Sequence, residues 1–183
     1  MKILLNDHGG TLGFEEAIGE LVNGADTLSV AVSYLQTGGW DLFRRSTAML
    51  NCARMRVVCT DQMGITQPAA VRRAIETGVQ IRNFTGVEVY HPKVYIAHSA
   101  AGKPTRFLVS SANMSYSAFT SSVEAGVLGS DAGILRTLSG WFDNLFRNRS
   151  KQFTPERAFE QWKKNGARRQ VNGPDHGYTF VAE

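Results

Sequence analysis

Between Phe14 and Phe84 the apolar residues switch repeatedly between helical and strand spacing, and this switching constrains the fold more than any other feature of the chain. "FEEAIGELV" sets Phe14, Ala17, Ile18, Leu21 and Val22 at helical intervals, with Gly24 as the stop. "TLSVAVSYL" alternates Leu28, Val30 and Val32 against Ser29, Ala31 and Ser33, the pattern of a strand with one richer face. A helix over 40–50, the short buried strand "MRVVC", a helix "QPAAVRRAIETG" opened by Pro68 and closed by Gly78, and the strand "VQIRNF" follow. "VEVYHPKVYIA", "RFLVSSAN" and "SVEAGVLG" then read as strands. The regular stripe Ile134, Leu135, Leu138, Trp141, Phe142, Leu145 and Phe146 marks a long amphipathic helix. "FTPERAFEQWKK" starts another, with Thr154 as N-cap and Pro155 at the first helical position. Such alternation predicts an α/β fold, a mixed central β-sheet flanked by helices on both faces.

The 183 residues suffice for one compact domain with a real core. The layered part is expected over 1–150, and 151–183 forms a basic C-terminal helix and tail of the same domain. From Gln170 the tail is polar and turn-rich, and the sequence leaves open whether it docks. Glycines in "TGG" (37–39) and "DHGG" (7–10) predict loops near the sheet ends, while His8 and His176 receive no role. No apolar run approaches the ~18 residues of a membrane span. The start "MKILLNDHGG" lacks the pattern of a signal peptide. A cytoplasmic protein without a membrane partner is therefore expected. Cys52 and Cys59 lie in or beside apolar segments and read as a buried thiol pair in a reducing compartment. No Cys/His spacing suits zinc and no acidic loop suits calcium, so neither a metal nor another cofactor is expected.

The net charge of +4 is unevenly spread. Residues 136–169 hold nine Lys and Arg against three acids, which leaves the rest of the chain slightly acidic. Such a segment serves either as a solvated helical face or as a footprint for a polyanion.

Polar residues recur where the strands should be buried. In "VYHPKVYIAHS", strand alternation puts His91, Lys93 and Tyr95 on one face and Val94 and Ile96 on the other. Pro92 cannot donate to a ladder and marks an edge or an irregularity. His98 falls on the face opposite His91. On the next strand Ser111 and Asn113 share a face with Phe107 and Val109, and Glu124 follows in a strand of small and apolar residues. Singly, each has an ordinary structural reading. Together, an imidazole, a fixed cation, an amide, a hydroxyl and a carboxylate on consecutive strands make a phosphoryl-transfer set.

This constellation resembles the phospholipase D-like family, whose pattern runs His-x-Lys, an Asp, Gly-Ser-x-Asn and a downstream acid. The resemblance is strongest over 87–127, "VEVYHPKVYIAHSAAGKPTRFLVSSANMSYSAFTSSVEAGV". It implies a phospholipase D-like catalytic domain over 1–150, with His91 as the nucleophile that forms a phosphohistidine. Lys93 and Asn113 would bind the phosphate oxygens, Ser111 would match the motif serine, and Glu124 would orient the histidine. Two positions depart from the pattern: His98 stands where the family has Asp, and Ser110 where it has Gly. The lost Asp is similar to the nuclease branch related to metal-independent restriction endonucleases. The chain holds one such motif whereas the family's site needs two, which implies a homodimer with both His91 residues facing one phosphate. The expected function is a metal-independent nuclease hydrolysing DNA through a phosphohistidine, of the restriction or defence-associated kind. A separate domain or protein would then choose the target. The alternatives are a non-catalytic nucleic-acid-binding module on the same fold and, ranked lower, a lipid phosphodiesterase or phosphatidyl transferase.

Overall fold

The computed structural model describes residues 1–6 and 13–171, the last six of them as backbone only. In chain order the elements are β1 (Lys2–Asn6), α1 (Phe14–Val22), β2 (Thr27–Val32), α2 (Thr37–Ser46), β3 (Arg56–Cys59), α3 (Pro68–Glu76), β4 (Gln80–Phe84) and β5 (Lys93–His98). Then come β6 (Pro104–Ser110), α4 (Tyr116–Thr120), β7 (Glu124–Gly129), α5 (Ala132–Asn148), β8 (Ser150–Gln152) and α6 (Pro155–Val171). A single turn of 3-10 helix (Cys52–Arg54) precedes β3.

The eight strands form one sheet in the order β1-β7-β6-β5-β2-β3-β4-β8. The sheet is mixed: β2, β3 and β4 run parallel, and every other pairing is antiparallel. On one face, α1, α2, α3 and the start of α6 close a core that includes Phe14, Leu21, Trp40, Phe43, Val71, Tyr95 and Ala158. On the other, α5 covers Ala31, Val58, Val94, Ile96 and Phe107 with Leu135, Phe142, Leu145 and Phe146. The expected α/β architecture, with helices on both faces, is the one observed. β2 lies at the middle of the sheet, so all six of its residues are buried and it has no poorer face.

Several boundaries differ from the sequence expectation for identifiable reasons. "VEVYHPKVYIA" is not one strand: pairing begins at Lys93, and Pro92, without an N–H, separates His91 from the ladder. The strand within "RFLVSSAN" ends at Ser110, although the Ser111 N–H still donates to the Ala125 carbonyl at 2.9 Å, and Asn113 lies beyond it in a turn that strand alternation does not reach. The helix expected over 40–50 spans Thr37–Ser46 and ends where the Thr47 hydroxyl donates to the Phe43 carbonyl at 2.9 Å. The "TGG" glycines are its first turn rather than a loop. A Cβ on Gly39 would lie 2.3 Å from the Met114 carbonyl carbon and the Ser115 nitrogen, so α2 enters with its backbone against the turn at 113–115. The two short strands β1 and β8 and the one-turn helix α4 carry too few residues to show a period. Cys59 is buried, where burial and Asp61 push its thiol pKa upward, while Cys52 is only half-buried. α6 has Thr154 as its N-cap, the hydroxyl accepting from the Arg157 N–H at 3.3 Å. His8 and the "DHGG" glycines, together with His176 and the end of the tail, lie outside the described residues.

Candidate active site

Antiparallel and parallel pairings combine to bring one end of many strands to a single rim. The C-terminal ends of β1, β2, β3, β4 and β6 and the starts of β5 and β7 meet there, as the pairs Val32–Lys93, Ser110–Gly126 and Asn6–Glu124 show. Four of the five residues singled out in the sequence, His91, Lys93, Ser111 and Glu124, stand on this rim or directly beyond it. Asn113 follows in the turn from Ser110 to α4, which the Leu35–Met114 bridge ties to the end of β2.

Lys93 is 5% exposed, and its ammonium has no carboxylate in contact among the described residues. It donates to the Ser33 hydroxyl at 2.9 Å and to the His91 carbonyl at 3.1 Å. Burial pushes its pKa down to about 8, against the pull of the Glu124 carboxylate nearby. A desolvated cation of this kind lacks only an anion.

The same Nζ lies 2.9 Å from Nδ1 and 3.1 Å from Nε2 of His91. A point so close to both nitrogens and in the ring plane would overlap Cε1, so the ammonium sits over the ring face. The in-plane directions of both ring nitrogens, one N–H and one lone pair in the neutral ring, are thereby left clear of the ammonium. Partial desolvation at the rim, and then the Lys93 charge, hold the His91 pKa below the ordinary imidazole value. At neutral pH the ring is uncharged, the form a nucleophile needs.

Glu124 accepts a hydrogen bond from the Ser111 hydroxyl, whose oxygen in turn accepts from the Ala125 N–H at 3.1 Å. Within one chain Glu124 makes no hydrogen bond to His91 among the described residues; it meets Ser111 instead. The Asn113 side-chain oxygen is buried without a partner among those residues, and its amide nitrogen is likewise uncommitted. His98 sits elsewhere. It lies on the opposite face at the far end of β5, with Nε2 2.9 Å from the Ser29 hydroxyl, which also accepts from Arg56 at 2.9 Å. Arg56 pairs with Asp143 of α5 at 2.7 Å, so His98 joins a buried structural network.

Two contributors went unseen in the sequence. Ser33 holds Lys93 only because β2 and β5 pair in this register. Gln62 clamps the loop that carries His91, accepting from the Tyr90 N–H at 3.0 Å and donating to the carbonyls of Gly86 (3.1 Å) and Glu88 (2.8 Å). Neither has a local signal, since both act through contacts between distant segments.

Comparison with known proteins identifies the domain and the fold that carry this rim. Residues 25–146 match the family model described as "Cardiolipin synthase, PLD-like domain". No curated protein sequence matches the chain. Among solved structures it resembles Nuc of Salmonella typhimurium, a phospholipase D family member, with a TM-score of 0.64 at 12% identity over 84% of this chain and 97% of that one. NucT from Helicobacter pylori aligns with a TM-score of 0.63 at 11% identity, covering 83% and 98% of the two chains. Phosphatidylserine synthase of Haemophilus influenzae Rd KW20 aligns at 0.60 and 16% identity over 91% of this chain, but only 45% of its own. At these identities the structural likeness is one of fold.

Proposed function

The chain belongs to the phospholipase D-like family, and from that premise we propose that it is a metal-independent nuclease hydrolysing DNA phosphodiesters. The observation that carries the reading is the buried Lys93 ammonium, unpaired by any carboxylate among the described residues and lying against a neutral imidazole. A phosphodiester supplies the missing anion. Lys93 and the Asn113 amide take its non-bridging oxygens, and the charge neutralisation assigned to metal ions in other nucleases falls to them.

One ring nitrogen of His91 attacks phosphorus, forming a P–N bond as the P–O bond to the leaving nucleoside breaks. The leaving oxygen needs a proton. A single His91 cannot both attack and donate, so the proton comes from His91 of a second copy, which makes the working unit a two-fold homodimer. Water then attacks phosphorus, forming a P–O bond as the P–N bond breaks and frees His91, and passes its proton to the imidazole that has just become neutral. The two histidines titrate as a pair. Glu124, held by Ser111, orients an imidazole across the shared site.

The fold shared with Nuc and NucT over 84% and 83% of this chain supports the nuclease reading. No helix among the described residues is long and apolar enough to cross a membrane. We place the activity in cytoplasmic restriction or defence, with target choice left to another domain or protein.

The test is cleavage of plasmid and oligonucleotide in EDTA at low salt, wild type beside His91→Ala, with phosphatidylcholine vesicles assayed in parallel. Cleavage that survives chelation and disappears in the variant is expected. DNA bound but left intact by both proteins would point to a non-catalytic binding module. Lipid turnover without DNA cleavage would reverse the substrate class, and cleavage lost in EDTA would sink the mechanism.

A further inference from the structure

A cavity of about 210 Å³ opens beside His91 on the α5 side of the sheet, across the rim from Lys93. Its walls are Phe84 and Tyr90, stacked with ring centroids 4.6 Å apart, and Trp141 from α5. The Tyr90 hydroxyl donates to the Val58 carbonyl at 3.1 Å, which fixes that wall and leaves its ring, not its polar end, to the cavity. Trp141 remains 36% exposed although its helix neighbour Phe142 is buried. Arg149 lines the same cavity and lies over Phe84, 5.1 Å from the ring centroid. Its two bonds to the Glu88 carboxylate, 2.6 and 2.7 Å, both leave from Nη2. Nε and Nη1 have no partner among the described residues.

We propose that this cavity receives the nucleobase adjoining the scissile phosphate, a reading that rests on the substrate being a nucleic acid. The exposed indole of Trp141 suits a base, and stacking on it costs few directional contacts. Phe84 and Tyr90, covered by each other and by Arg149, back the cavity. The phosphate is then held by Lys93 on one side of His91 and its base by Trp141 on the other, with the sugar passing over the imidazole. Free Arg149 donors face the next phosphate along the strand. Because the indole of Trp141 can stack on any base, the pocket recognises that a base is present without reading which base it is.

The experiment walks a single abasic position through a short single-stranded oligodeoxynucleotide and measures binding by fluorescence anisotropy to His91→Ala, which leaves the probe uncut. One position should show a loss of affinity of about tenfold, the scale of one stacked base. Adding Trp141→Ala should erase that difference, and Trp141→Phe should keep most of it. Equal binding of every abasic probe overturns the pocket, as does a Trp141→Ala effect that is the same with and without the base. The abasic walk is complete before Trp141 is changed, so misfolding of Trp141→Ala cannot decide the outcome. Cleavage by the wild-type protein is read separately. An intact probe cut without base-dependent binding defeats the pocket and leaves the nuclease standing. Base-dependent binding without cleavage does the reverse, and absence of nucleic-acid binding overturns both.

Discussion

The side-chain oxygen of Gln62 accepts a hydrogen bond from the Tyr90 N–H at 3.0 Å, one residue before His91. With its amide nitrogen bonded to the carbonyls of Gly86 and Glu88, one side chain fixes the loop on which the imidazole stands. Gln62 touches no reacting atom, so its role is to position His91. Gln62→Ala should lower kcat roughly ten- to a hundredfold, the cost of an ångström-scale misplacement, with KM little changed. Steady-state kinetics beside a melting curve checks this. A fall in thermal midpoint that accounts for the whole activity loss would reduce Gln62 to a structural part.

The two shifted groups at the rim set a pH window. His91 must be neutral to attack, and its lowered pKa puts the rising limb of kcat/KM below the ordinary imidazole value. The donating imidazole must keep its proton, and Lys93 must be charged to hold phosphate. Activity therefore falls first as the paired histidine deprotonates and is lost altogether as Lys93 loses its proton near pH 8. Stability moves the other way. Between about 8 and the unfolded value of about 10.4 the unfolded chain binds the extra proton, so the contribution of Lys93 to stability rises with pH. Urea midpoints of wild type relative to Lys93→Met should therefore climb from pH 7.5 to 10 while wild-type turnover declines. Parallel trends would show that the two effects do not share this lysine.

α6 is anchored at the same rim: Arg157 pairs with buried Asp61 at 2.8 Å, and the Asn165 amide donates to the Gly64 carbonyl at 3.2 Å. Its Lys163 and Lys164 are exposed. If they lie along the phosphate backbone, each neutral substitution should reduce the slope of log affinity against log salt by about 0.7–0.9, with no preference for sequence. Salt titration of the Lys163→Ala and Lys164→Ala proteins reads this directly, and unchanged slopes would remove α6 from the interface.

Gly39 has no room for a side chain against the turn that carries Asn113. Gly39→Ala should destabilise by about 1–3 kcal/mol through overpacking and weaken substrate binding together with it. Chemical denaturation and KM measured on the same protein test both halves. Gly19, in α1, has nothing within 4 Å of an added Cβ, and Gly19→Ala is the control that should cost neither.

Where a segment is regular and its burial one-sided or complete, the amino-acid pattern was sufficient. Tyr95 falls in one core and Val94 and Ile96 in the other as strand alternation requires, and His98 falls on the face away from the site. Alternation gives out after Ser111, whose N–H still bonds to the Ala125 carbonyl of β7, so Asn113 stands in a turn that no period describes. Ser33 and Gln62 were illegible for another reason: their partners lie 60 and 28 residues away and are chosen by sheet register and loop path. The β1 strand was missed because its five residues gain their meaning only from pairing with β7.

That pairing has a kinetic corollary. The Asn6 amide donates to the Ser122 carbonyl across 116 positions, so β1 stays without its ladder until β7 has been synthesised. The consecutive strands β5, β6 and β7 meet as neighbouring antiparallel partners and close short loops, whereas β1 has to close a long one. The earliest-made strand thus waits for β7, and it docks directly opposite Glu124. On the ribosome, the rim is complete only when the chain's oldest segment returns to its newest neighbour.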